Sequence, residues 1–123
     1  MATKLYNRNI CWDDRFDADV CLKILDYSMK GLKYSRHYVE SMCYRHIKKS
    51  VTAEYLLSGT VVEVEVDNDN IEKAVIRNKY DERFDLITVI RFVSDGILFV
   101  TSWINNAKNN HDTLDTTQYE LIL

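Results

Sequence analysis

From residue 60 onward the chain alternates with a period of two. Thr60-Val-Val-Glu-Val-Glu-Val-Asp67 sets Val62, Val64 and Val66 against Glu63 and Glu65, the pattern of a half-buried strand. Asp67-Asn-Asp-Asn70 reads as a turn, and Ile71 to Tyr80, with Val75, Ile76 and Arg77, as a second strand. After a second turn at Asp81-Glu-Arg, Phe84 to Val93 is nearly continuous in apolar residues and predicts the central strand. Ser94-Asp95-Gly96 is a tight hairpin turn, and Ile97 to Trp103 is the fourth strand. These links are too short for crossovers, so the expected sheet is a four-stranded antiparallel meander.

Before residue 60 the pattern is helical. Val20, Leu22, Ile24, Leu25 and Tyr27 predict a helix from about 17 to 29, stopped by Gly31. The acidic run Asp13–Asp19 suits its first turn. A second helix is expected over about 35–48, with Ser35 as N-cap and Tyr38, Val39, Met42 and Ile47 as a partial apolar stripe. On that helix His37, Ser41, Tyr44 and Lys48 share another stripe, and Arg45 falls in a short arc with His37. A short third helix fits before Gly59, capped by Ser50 or Thr52. Residues 1–14 show no period. The expected fold is therefore α+β, with N-terminal helices packed on the four-stranded antiparallel meander, in one domain spanning 1–123. Within it, 1–30 form an N-terminal extension and helix. The polar tail from Ile104 favours Asx and ST turns, with Leu121, Ile122 and Leu123 as a short edge strand or anchor.

Several function classes drop out. No run of ~18 apolar residues is present, so no membrane partner is expected. Met1-Ala-Thr-Lys-Leu-Tyr-Asn-Arg-Asn lacks the apolar core of a signal peptide, so a cytoplasmic location is expected. Cys11, Cys21 and Cys43 show no CxxC spacing and should be reduced thiols. With no Cys/His cluster at zinc spacing and only three glycines, neither a metal nor a phosphate-cradling loop for a cofactor is predicted.

Charge is uneven. Between Lys30 and Lys49 stand six Lys/Arg against one acid, Glu40, giving +5 in a chain of net charge −3. Tyr34, Tyr38 and Tyr44 interleave with Lys33, Arg36 and Arg45 in that window, together with His37 and His46. The mixture suits RNA, where rings stack on bases and cations meet phosphate, and equally a protein interface.

Two motifs carry a resemblance. His37-x4-Met42-x2-Arg45-x-Ile47 resembles the helix of small BrnT/RelE-related toxin domains, within the barnase–EndoU–colicin–RelE ribonuclease fold group. Thr101-x-Trp103-x-Asn105, followed by His111-x-Thr113-Leu114-Asp115-x3-Tyr119, resembles the C-terminal signature of relatives found in polymorphic toxins and phage proteins. The similarity covers about residues 34–119. It implies a metal-independent ribonuclease-like domain, in which the RNA 2′-hydroxyl attacks the adjacent phosphate. His37 and His111 would share the proton transfers and Arg45 would bind the phosphate. Arg77, Tyr80, Trp103, Asn105 and Thr113 would line the substrate surface.

Each residue also has a plainer reading. His37 is then a helix histidine packed beneath the sheet, and Arg45 an anchor to an acid such as Glu63 or Glu65. Arg77 and Tyr80 become a solvated strand edge, and Trp103 becomes core. The rival function is a non-catalytic inhibitor or regulator of phage type, gripping a host or antitoxin protein or nucleic acid through the basic helix. The acidic cluster Asp13–Asp19 favours it.

Overall fold

The alternating half of the chain does form the meander. In the computed structural model, which describes residues 3–47 and 50–108, β3 (Thr60–Asp67), β4 (Asn70–Lys79), β5 (Phe84–Val93) and β6 (Gly96–Asn106) pair antiparallel in sequence order. The β3–β4 turn holds Asn68 and Asp69 at φ 52° and 62°, the left-handed pair of a tight hairpin. The sheet is larger than four strands, however. β1 (Lys4–Asn7) adds antiparallel to β3, and β2 (Leu32–Tyr34) adds parallel to β6. The result is a mixed six-stranded sheet in the order β1-β3-β4-β5-β6-β2. The sequence gives no sign of the added strands because four and three residues are too few to show a period.

The β2 edge is held by a backbone contact. The Ile97 amide donates to the Gly31 carbonyl at 3.0 Å, which brings Gly96 against Gly31. Gly96 has φ 146°, and a β-carbon there would lie 2.1 Å from the Gly31 oxygen, so only glycine fits.

Three helices cover one face: α1 (Arg15–Ser28), α2 (Arg36–Tyr44) and α3 (Ala53–Leu57). Val20 and Ile24 of α1, Tyr38 of α2 and Leu56 of α3 meet Ile76, Leu86, Ile90 and Phe99 of the sheet in one buried cluster. Each large side chain in it contributes on the order of 1.5–3 kcal/mol. Ser35 caps α2 as expected, accepting from the Tyr38 amide at 2.9 Å, and its hydroxyl donates to the Val100 carbonyl at 2.9 Å. The cap therefore also ties the helix to β6. Thr52, not Ser50, caps α3.

Two expectations need correction. The second helix ends at Tyr44 rather than 48. His46 takes φ 55°, its amide donates to the Cys43 carbonyl, and the Ile47 amide donates to the Met42 carbonyl at 2.9 Å. This is a Schellman stop built on histidine where glycine is usual. His46 is thus off the helix, and Lys48 lies outside the described residues. The valines of β3 do not share one face either. A register shift between Val61 and Glu63 leaves Val64 and Val66 toward the helices and turns Val62 away.

Among the described residues only strands build the opposite, outer face. There Val62, Val75, Ile87 and Val89 are buried, with Val100 and Trp103 packed beside them. Charged pairs frame this small apolar centre. Arg77 Nε meets Asp85 Oδ2 at 2.5 Å, and Glu65 meets both Lys73 and Arg91 at 3.5 Å. Glu63 is not solvated as its alternation suggests: it is 3% exposed and accepts from Asn7 Nδ2 at 3.3 Å.

Candidate functional site

His37 stands in the first turn of α2 and is exposed, not packed beneath the sheet. Its Nε2 lies 3.4 Å from the hydroxyl of Ser41, one turn along the same helix. Arg45, the C-cap residue, sends its guanidinium across to the Ser102 carbonyl of β6. It thus anchors α2 to backbone, and neither Glu63 nor Glu65 is its partner among the described contacts. Eight residues of helical rise separate His37 from Arg45, roughly 12 Å along the axis.

The other residues singled out by sequence fall elsewhere. Arg77 is in register with Ile87, and Ile87 with Trp103, so all three point to the outer face. Asn105 pairs with Asp85 on that same face. The Arg77 guanidinium is committed twice, to Asp85 and to the Asn106 carbonyl at 2.8 Å, with its side chain only 14% exposed. It is a locked structural group rather than a solvated edge. Tyr80 packs against the helix-side core. The sheet therefore brings Arg77, Trp103 and Asn105 together and holds them apart from His37 and Arg45. His111 and Thr113, with the C-terminal Leu121–Leu123 segment, lie outside the described residues.

The basic window is also less bare than its sequence suggests. Lys33 pairs with Asp95 from the β5–β6 turn, and Arg36 pairs with Glu40 at 2.8 Å. The Lys33 ammonium holds the Asp95 carboxyl below the usual carboxylate range. Lys30 sits over the Tyr27 ring at 4.2 Å. Asp95 is sixty-two residues from Lys33 in the chain, a separation no local pattern reveals.

Beside the exposed Arg36, His37 and Glu40, α2 and the end of β2 also expose apolar and aromatic side chains. Tyr44 is 85% exposed, Val39 50% and Tyr34 48%. Tyr34 and Val39 help line a shallow groove of about 270 Å³, together with Tyr38, Met42, Cys43, Ser50 and Val51, whereas Tyr44 shares the His37–Ser41 stripe of the helix. Tyr34 stacks on Phe99 at 4.9 Å, which fixes one wall. Burial, with the neighbouring Tyr34, pushes the Tyr38 phenol up to about 12. Among the described residues no three His, Cys, Asp or Glu side chains gather as metal ligands, and no helix is long and apolar enough to cross a membrane.

Comparison with family models, with curated proteins and with solved structures gives no match for this chain.

Proposed function

We propose that this domain is a non-catalytic inhibitor or regulator that grips a protein partner through α2 and its groove. The carrying observation is the exposure of Tyr34 and Val39 in the lining of an apolar groove whose neighbouring cations Lys33 and Arg36 already have acidic partners. Tyrosine, methionine and arginine are the residues that protein interfaces favour, and a rigid ring in a groove is the usual anchor. Phosphate binding, in contrast, needs cations free to approach the ligand. The ribonuclease-like reading asks His37, an arginine and a second proton-transfer group to converge on one phosphate. Against it stands the division of Arg45 and Arg77 between opposite sides of the sheet, each already bound to protein groups.

The test has two arms. RNA incubated without divalent metal should give the same background products with wild type, His37→Ala and His111→Ala. Cleavage by wild type that either substitution abolishes would restore the nuclease. In the second arm, a partner retained from host lysate by wild type should be lost with Val39→Ser while the fold is kept. Retention by Val39→Ser and by Cys43→Arg alike would remove the α2 groove as the docking surface.

A further inference from the structure

The outward side of α1 is apolar where an exposed helix face is ordinarily polar. Ala18, Leu22, Leu25 and Met29 follow one another at spacings of four, three and four residues. At 3.6 residues per turn they stay within roughly 60° of arc. Ala18 is exposed, and Leu22, Leu25 and Met29 are 64%, 52% and 87% exposed. Met29 is the C-cap and keeps helical angles, so the stripe runs unbroken to the end of the helix. The opposite side of α1 already supplies the core through Val20 and Ile24, with Phe16 and Tyr27 packed beside them. Folding accounts for that inner side and leaves the outer one unexplained. Exposed apolar patches of a few hundred Å² are the kind that mark interaction sites.

One flank of the stripe carries Asp19 and Asp26, two turns apart, and neither forms an ion pair among the described residues. Lys23 stands between them but turns its ammonium back over the Tyr27 and Phe92 rings, at 5.0 and 5.2 Å. The nearby acids Asp17 and Asp13 are taken by Arg8 and Arg15. Arg15 shares the flank of Asp19 but turns its guanidinium back to Asp13, with Nη2 at 2.6 Å. The other flank carries Cys21 and Ser28, which are uncharged.

We propose that this face of α1 docks a basic amphipathic helix of a partner protein, its apolar residues seated on Leu22, Leu25 and Met29 and its lysines or arginines beside Asp19 and Asp26. The four-three-four spacing is that of a two-helix seam, in which knobs of one helix enter holes of the other. Met29 adds an unbranched, adaptable side chain at one end. The two carboxylates, neither in an ion pair, select the charge of the occupant, because a like-charged helix would meet them with repulsion. A second copy of α1 offers a poorer match, since it brings the same two acids while its Arg15 and Lys23 are turned to Asp13 and to the Tyr27 and Phe92 rings. The surface is on a different helix from the α2 groove and does not depend on the role proposed for that groove.

The test uses the full chain and two synthetic peptides of about three heptads, with leucine at the a and d positions and either lysine or glutamate beside them. Fluorescence anisotropy should show the lysine peptide binding at least about tenfold tighter than the glutamate peptide, and less tightly as salt rises. Leu25→Ser should weaken the lysine peptide about tenfold or more, a loss typical of a central apolar anchor. Asp19→Lys with Asp26→Lys should reverse the preference toward glutamate. These residues are exposed, so thermal melts of the variants should match wild type. Equal binding of both peptides, binding of neither, or a preference that survives the charge reversal overturns the proposal. So does sedimentation of wild type as a dimer that Leu25→Ser converts to monomer, which would make a second copy the occupant.

Discussion

The two sides of the sheet are built on different principles. The helix side is a continuous apolar layer, in which Leu86, Ile90, Ile97 and Phe99 are wholly buried beneath three helices. The outer side has a small apolar centre ringed by Arg77–Asp85 and by Glu65 with Lys73 and Arg91. Burial of apolar surface is non-directional and supplies most of the stabilisation. Ion pairs across strands supply less, but each is satisfied in one register only. One face therefore holds the domain together, and the other fixes which strand residues stand opposite.

Substitutions on each side test this division. Phe99→Ala empties a wholly buried ring site and breaks its contacts with Tyr34 and Tyr38. The expected loss in urea-unfolding free energy is about 3–5 kcal/mol. Arg77→Ala leaves Asp85, 18% exposed, without its cation. Partial exposure lowers the cost of breaking such a pair, so about 2 kcal/mol is expected. A loss equal to that of Phe99→Ala would mean that the outer pairs carry as much of the stability as the core.

Alkali should act on the helix side. The Tyr38 phenol is pushed up to about 12 by burial, so the folded state favours its neutral form. That contribution is whole below the unfolded value near 10 and is lost as pH rises through about 12. Tyr55 is raised too, by burial and then by Asp85 and Tyr80, and adds to the fall. Stability measured across pH 9–12 should decline, and Tyr38→Phe should flatten much of the decline, whereas Arg91→Ala, on the outer side beside Glu65, should leave its shape unchanged. The smallest effect concerns the helix stop. His46 holds a left-handed conformation that glycine adopts freely. His46→Gly should raise stability by about 0.5–1 kcal/mol. A decrease would mean that the imidazole contributes contacts worth more than the backbone strain.

Where local chemistry decides, the sequence was legible. The valine–glutamate alternation marks β3 to the residue, and Ser35 marks the start of α2. The end of α2 was hidden because a histidine fills the glycine position. The turn of Val62 to the outer face was hidden because a bulge adds one residue to an otherwise perfect alternation. Much less of the site could be read. Lys33, Arg45 and Arg77 look like free cations in the sequence, yet their partners Asp95, Ser102 and Asn106 come from β6 or the turn before it. Only the folded sheet brings these together. The outward stripe of α1 was written in the sequence, but the apolar period does not say which of two apolar sides is buried.

The positions of β1 and β2 also bear on how the chain assembles. The meander closes through neighbouring hairpins, whereas both of its borders are supplied by the first thirty-four residues, Tyr6 meeting Val64 and Leu32 meeting Ile97. Hairpin closure is fast, and joining distant segments is slow. A nascent meander would thus carry two open hydrogen-bonding rims until the amino-terminal arm reaches both. The contact of Gly31 with Gly96 locks the second rim, so a chain trimmed of its first thirty-four residues should polymerise edge to edge rather than simply lose stability.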